Sequence, residues 1–259
     1  MTAVTAPTTT PITTPTDTTA AKDVVQSLDL AALAETLDQL TAGFQTLSTF
    51  LLRAPNQEVL DQVRTQEMLQ DWPGLPGPER TQGIGHLLES AALGETAQEV
   101  ASDYNSLFVG PERTKAAPYE SVHLSKEKLI FEQQTFAVRA AYAEFDLAAP
   151  KLNQEPDDHI GLELGFLAML GQRALDCIAD SSAPSSEQPA ERSPQELEQQ
   201  VQELNKVLAA IFSFLDLHVL RWAPAFFTLV NEQAETEFFR GVGALGLGVL
   251  EDAARSFNL

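Results

Sequence analysis

The segment from Gln154 to Leu164 (QEPDDHIGLEL) holds the densest group of residues in this sequence that could do chemistry. Four carboxylates and one imidazole fall within nine residues: Glu155, Asp157, Asp158, His159 and Glu163. Clustered carboxylates can bind an arginine guanidinium, hold a hard metal ion or transfer protons. Catalysis would need a nucleophile or oxyanion donor that the sequence does not offer. We therefore favour a receptor for a cationic group, with a metal-dependent hydrolase built on the same five residues as the alternative.

A purely structural explanation covers part of this segment. Pro156 is suited to the first position of a helix, and acidic side chains in a first turn are stabilised by the helix dipole. That accounts for the first three acids but not for His159, whose protonated form is disfavoured at a helix N-terminus. His159 and Glu163 are four residues apart and share a helix face, so they could hold each other or a ligand.

A second unusual stretch runs from Tyr104 to Val122 (YNSLFVGPERTKAAPYESV) and combines aromatic, aliphatic and acidic residues. The candidate binding residues in it are Tyr104, Leu107, Phe108, Pro118, Tyr119 and Glu120. Leu107 could equally belong to a helix end that packs into the core. Apolar surface beside carboxylates suits a peptide in which basic residues precede a hydrophobic run.

Other motifs argue against an enzyme or a cofactor-binding protein. The sequence has no H-E-x-x-H pair, no G-x-S-x-G elbow and no phosphate-binding P-loop. Gly241, Gly243 and Gly246 match G-x-G-x-x-G, but their surroundings are helical, so we interpret them as small residues at a close helix contact. Cys177 is the single cysteine, which excludes a disulfide within one chain. We expect no cofactor.

The overall charge narrows the range of partners. A net charge of −21 and a pI near 4.4 disfavour nucleic acid and anionic membranes and favour a basic partner. No apolar run is long enough to span a membrane, and the N-terminus lacks a secretory signal, so we expect a soluble cytoplasmic protein.

The elements that must position these residues are predicted to be helices throughout. Apolar residues recur at spacings of three and four along most of the chain, and no segment alternates in the manner of a strand. Helices are predicted from Leu28 to Leu51, from Glu58 to Leu69 and from Ser125 to Phe145, and Ser193-Pro194 is a typical helix start. The predicted organisation is a disordered Thr/Pro-rich tail (1–25), an N-terminal helical part (26–179), a flexible Ser/Pro/Glu linker (180–194) and a C-terminal helical part (195–259).

Three motifs in this order resemble a known family. They are L-F-x-G-P from Leu107, P-Y-E-S-V from Pro118 and E-P-x-D-H from Glu155, and they resemble the TorD/DmsD chaperones of molybdenum-containing redox enzymes. The close likeness spans roughly Tyr104 to Ala174. His123 departs from it, because members commonly have tyrosine there.

The resemblance implies a single helical-bundle domain of about nine to eleven helices and no catalytic activity. It implies a cytoplasmic chaperone that binds the twin-arginine signal peptide of a molybdoenzyme catalytic subunit and assists cofactor insertion before Tat export. Asp158 and His159 match the family's Asp-His pair. The residues that match its leader-contacting surface are Tyr104, Leu107, Phe108, Pro118 and Tyr119. It also implies a monomer or a domain-swapped homodimer.

Overall fold

A computed structural model describes residues 30–110, 114–127, 129–150, 156–182 and 193–259. Within these ranges the chain forms eleven α-helices and no strand, which confirms the predicted all-α fold. The helices are α1 (Leu30–Leu52), α2 (Gln57–Val63), α3 (Gln66–Gln70), α4 (Pro78–Leu93), α5 (Ala97–Tyr104), α6 (Glu120–Leu124), α7 (Gln133–Ala143), α8 (Ile160–Ser182), α9 (Pro194–Leu217), α10 (Ala223–Gln233) and α11 (Glu237–Phe257). A π-helical turn (Asn105–Val109) extends α5, and a 3₁₀ turn (Val219–Arg221) follows α9.

Several helix starts follow directly from local sequence. Thr96 and Glu99 form a reciprocal capping box at the start of α5. Ser193 and Glu196 do the same at α9, with Pro194 at the first helical position, which confirms the predicted start. These caps satisfy backbone N–H groups that would otherwise lack partners, so each helix begins at a defined residue.

Two predicted helices differ from the structure. The one from Glu58 to Leu69 is divided into α2 and α3, because the hydroxyl of Thr65 accepts a hydrogen bond from the Met68 amide and starts a new helix. The one from Ser125 begins only at Gln133. The described residues before it, 125–127 and 129–132, are irregular, and Phe131 adopts a left-handed φ of 61° that a continuous helix does not permit.

The helices enclose one hydrophobic core. Helix α8 packs against α1 and α9, while α11 packs against α4, α10 and α1. Buried residues on both sides of the predicted linker, such as Leu164 and Phe226, belong to the same core, so the bundle is a single domain. The predicted tail and residues 183–192 of the predicted linker lie outside the described residues.

The glycine-rich run of α11 lies in the interior of a helix. A Cβ atom on Gly241 would approach the Leu87 side chain to 3.0 Å, and one on Gly243 would lie 2.6 Å from the backbone nitrogen of Asn231. Since α4 and α10 approach α11 this closely, the glycines serve helix packing, as the sequence predicted.

In the part of the chain that the structure describes, no single helix is long and apolar enough to cross a membrane. The segments Gln195–Arg221 and Ala223–Gln233 meet the criterion of length and composition only as a pair, and they are bent by 46° from each other.

Candidate functional site

The fold brings the two unusual sequence stretches together. Tyr119 and His159 form an isolated antiparallel bridge, in which the Glu120 amide donates to the Asp158 carbonyl (3.0 Å) and the Ile160 amide to the Pro118 carbonyl (2.8 Å). This pairing joins the start of α6 to the start of α8. Two motifs separated by about forty residues in the sequence therefore make one structural edge.

Asp158 is an internal residue with no exposed surface. Its Oδ2 atom accepts a hydrogen bond from the Ser121 amide (2.7 Å), and its Oδ1 atom accepts one from the Thr135 hydroxyl (2.7 Å). The carboxylate thus fixes the start of α6 and connects it to α7. We had expected Asp158 on the surface as a receptor for an arginine, and the structure instead buries it because both oxygens have partners within the fold.

Asp157 is also fully buried, but its partner is a cation. Its Oδ2 atom accepts hydrogen bonds from Nε (3.1 Å) and Nη2 (2.6 Å) of Arg139 in α7. The hydroxyl of Tyr142 donates to the Asp157 carbonyl (3.1 Å). Burial, followed by the charge of Glu163, raises the pKa of Tyr142 well above its usual value, so this hydroxyl keeps its proton.

Two further carboxyl groups, Glu120 and Glu163, lie behind the edge. Glu163 has no exposed surface and accepts a hydrogen bond from Nε1 of Trp222 (3.2 Å). Burial, together with the nearby charges of Glu120 and Asp158, raises the pKa of Glu163 well above its ordinary value. Glu120 is 2% exposed, and its Oε2 atom lies 2.9 Å from Nδ1 of His218. We had also expected these two acids to face a ligand, but they are enclosed by residues that follow α9.

The predicted aromatic and aliphatic residues divide into two groups. Leu107, Phe108 and Pro118 are buried, and the Phe108 ring packs against the rings of Tyr104 (5.2 Å between centroids) and Phe239 (5.5 Å). Leu107 and Phe108 lie in the π-helical turn and Pro118 in the loop after it, and all three are in the interior and not on a surface that a leader could contact. For Leu107 this is the core position that the sequence analysis had left open. Tyr104 is only partly buried, and its hydroxyl donates to the Leu51 carbonyl (3.1 Å).

The part of the edge that solvent reaches is a small rim made of exposed Leu52 and partly buried Tyr119 and His159. The rings of Tyr119 and His159 meet edge to face, with centroids 5.3 Å apart, and Nδ1 of His159 accepts a hydrogen bond from the Gly161 amide (3.0 Å). Leu52 is 44% exposed and lies beside Gly161, where a Cβ atom would come within 2.7 Å of Leu52 Cγ and 3.2 Å of His159 Nδ1. Glu155 lies outside the described residues.

An apolar segment that the sequence analysis did not single out continues from this edge. It consists of five large side chains that remain exposed between the end of α6 and the first turn of α7: Leu124, Leu129, Ile130, Phe131 and Phe136. We had assigned three of them to a buried helix face because their spacing is helical. Leu129 and Ile130 are exposed in irregular backbone before Gln133, whereas Phe136 lies within α7 on a side that remains exposed.

The described residues contain no group of three or more His, Cys, Asp or Glu side chains that could hold a metal ion. Asp157, Asp158 and Glu163 each accept hydrogen bonds from different protein groups through at least one carboxylate oxygen. Two cavities lie elsewhere, one of 180 Å³ beside Phe50 and Pro55 and one of 500 Å³ between the start of α1 and the end of α8. None of the predicted site residues lines either of them.

Comparison with known proteins gives a consistent set of relatives. The family model described as "Nitrate reductase delta subunit" matches residues 78–228. The chain is 26% identical over 201 residues to a protein from Aliivibrio salmonicida named "Chaperone protein TorD", covering 76% of this chain and 84% of the relative. It is 24% identical over 223 residues to a protein from Haemophilus influenzae named "Probable Tat proofreading chaperone DmsD", covering 85% and 92%.

Proposed function

The chain belongs to the TorD/DmsD family, which the nitrate reductase delta subunit model represents, and from this premise we propose that it is a chaperone that binds the twin-arginine signal peptide of a molybdoenzyme catalytic subunit. The family is one of chaperones and the chain is not an enzyme. In the proposed role it acts in the cytoplasm, retains the client until its molybdenum cofactor is inserted and then releases it for Tat export.

The observation that carries this proposal is the joining of the two motifs at one edge, next to exposed apolar side chains. The rim of Leu52, Tyr119 and His159 and the apolar segment from Leu124 to Phe136 offer contacts for the hydrophobic stretch of a leader. Fully burying a side chain of this size contributes about 1.5–3 kcal/mol, and each side chain of the apolar segment still has about half of its surface to bury, so several together would support peptide binding after the cost of association. The net charge of −21 favours encounter with the basic end of the same peptide.

The buried acids have a supporting role in this proposal. Asp158 joins the starts of α6 and α7, and Glu120 and Glu163 bind the edge to His218 and Trp222. They therefore maintain the shape of the surface that the leader contacts. A monomer and a domain-swapped dimer are both compatible with this arrangement, and we propose no preference between them.

Fluorescence anisotropy with labelled twin-arginine leaders of the molybdoenzyme precursors from the same organism tests the proposal. We expect wild type to bind one of them, and Ile130→Asp to weaken binding by about tenfold or more, since a charge then enters the apolar contact. Leu93→Asp is the matched control, because Leu93 is equally large and 63% exposed but lies at the end of α4. Wild type that binds no leader, or two variants that lose affinity equally, would refute the proposal.

A further inference from the structure

Arg139 occupies a position that a ligand arginine could also occupy. Its side chain is 27% exposed, and its guanidinium group caps Asp157, whose side chain is completely buried. Two of its hydrogen bonds go to Oδ2 of Asp157, at 3.1 Å from Nε and 2.6 Å from Nη2. The other oxygen, Oδ1, is buried without a hydrogen-bond partner. An arginine normally pairs its fork with both oxygens of a carboxylate, so this acceptor is only half used.

The second wall of this position is aromatic. The guanidinium carbon of Arg139 lies 5.6 Å from the centre of the Phe136 ring, and Phe136 is 56% exposed at the start of α7. A carboxylate on one side and an aromatic face on the other form a receptor suited to a planar guanidinium and less suited to an ammonium group. Phe136 is also part of the apolar segment, so the receptor is continuous with the proposed surface for the leader.

We propose that Arg139 is an internal surrogate for an arginine of the bound peptide, which displaces it from Asp157 and from the Phe136 ring. This inference rests on the proposed function. Exchange of one guanidinium for another keeps the buried carboxylate neutralised at every stage, which avoids the large cost of an unpaired buried charge. The exchange also makes binding selective, because a ligand without a guanidinium group cannot replace the bonds that Arg139 gives up.

Replacing Arg139 distinguishes a surrogate for a peptide arginine from a purely structural ion pair with Asp157. Arg139→Gln should bind a twin-arginine leader at least about tenfold more tightly than wild type, because the competitor is gone. Arg173→Gln is the matched control, since Arg173 also lies 5.6 Å from a phenylalanine ring, that of Phe145, and pairs with Glu203 at 3.5 Å. It should leave affinity unchanged. Arg139→Gln combined with Asp157→Asn should lose the gain, because the carboxylate is then absent as well.

Chemical rescue tests the receptor without any leader and covers the case in which Arg139→Gln folds poorly. The melting temperature of Arg139→Ala should rise with ethylguanidinium more than with ethylammonium at equal concentration, and Arg173→Ala should show no such difference. Equal effects of the two compounds on Arg139→Ala would overturn the proposal. If wild type bound a leader and Arg139→Gln bound it no more tightly, only the surrogate role would be overturned. Wild type that binds no leader would overturn the proposed function and the surrogate role together, and rescue would then show only a guanidinium site.

Discussion

Replacement of Glu163 by glutamine tests whether this buried side chain carries a proton in the folded protein. Glutamine has nearly the same shape as a protonated glutamic acid. Its carbonyl can accept the Trp222 hydrogen bond that now spans 3.2 Å, and its amide is neutral beside the Glu120 carboxylate. The substitution therefore removes the titration of Glu163 and leaves the surrounding contacts in place.

The unfolding free energy of wild type relative to Glu163→Gln should change with pH in one direction. Because burial raises the pKa of Glu163 in the folded state above its ordinary value of 4.5, the folded protein binds a proton that the unfolded chain releases. The stability that this proton contributes is complete below the unfolded pKa and is lost as the pH rises toward the folded pKa. Relative to Glu163→Gln, wild type should thus lose up to about 1.4 kcal/mol of unfolding free energy for each pH unit in that window.

Urea unfolding at a series of pH values from about 5 upward measures this difference. Glu99→Gln is a suitable control: hydrogen bonds from Thr96 lower the pKa of this exposed carboxylate, and glutamine can also complete a capping box. Its difference from wild type should not change with pH above its ordinary pKa. If the difference in unfolding free energy between wild type and Glu163→Gln also stayed constant with pH, the assignment of the proton to Glu163 would be refuted.

Four further changes test the packing of the edge and of the bundle. Asp158→Ala should lower the unfolding free energy by about 2–4 kcal/mol, because two buried donors lose their acceptor, and unchanged urea midpoints would contradict this. Gly243→Ala should destabilise by about 1–3 kcal/mol, since its Cβ atom would lie 2.6 Å from the Asn231 nitrogen. Gly85→Ala, with open space around its Cβ atom in α4, should instead raise the melting temperature through about 1 kcal/mol of helix propensity. Tyr104→Phe should cost about 1 kcal/mol through the lost bond to a backbone carbonyl, and calorimetry that finds no change would exclude that contact.

The sequence was sufficient for those parts of the fold that local chemistry determines. The capping box at Ser193 is visible in the order of its residues, and the α11 glycines are recognisable as packing positions from their helical surroundings. The run from Leu129 to Phe131 shows the limit of periodicity. Helical spacing identifies residues that would share a face, but it does not reveal that the backbone there is irregular and that the side chains remain exposed.

The burial of the acids could not be predicted for a different reason. Charged side chains are exposed in most proteins, so the sequence favoured a surface cluster. Asp158 is buried because the Thr135 hydroxyl of α7 and the Ser121 amide of α6 donate hydrogen bonds to it. Glu163 is buried because the indole of Trp222, which follows α9, donates to it. These partners are brought together only by the tertiary fold. The resemblance to the family singled out the two motifs that meet at the edge, whereas the contacts show which groups their acids bind.

The bonds from Trp222 and His218 to the two buried glutamates have a consequence for the time at which the edge forms during synthesis. Trp222 and His218 follow α9, whereas Tyr119 and His159 precede it. A nascent chain that has emerged from the ribosome only through α8 therefore lacks the residues that enclose Glu120 and Glu163. Such a truncated product would leave those carboxyl groups in contact with water. The enclosed form of this edge is therefore completed late in translation, after most of the polypeptide has been made.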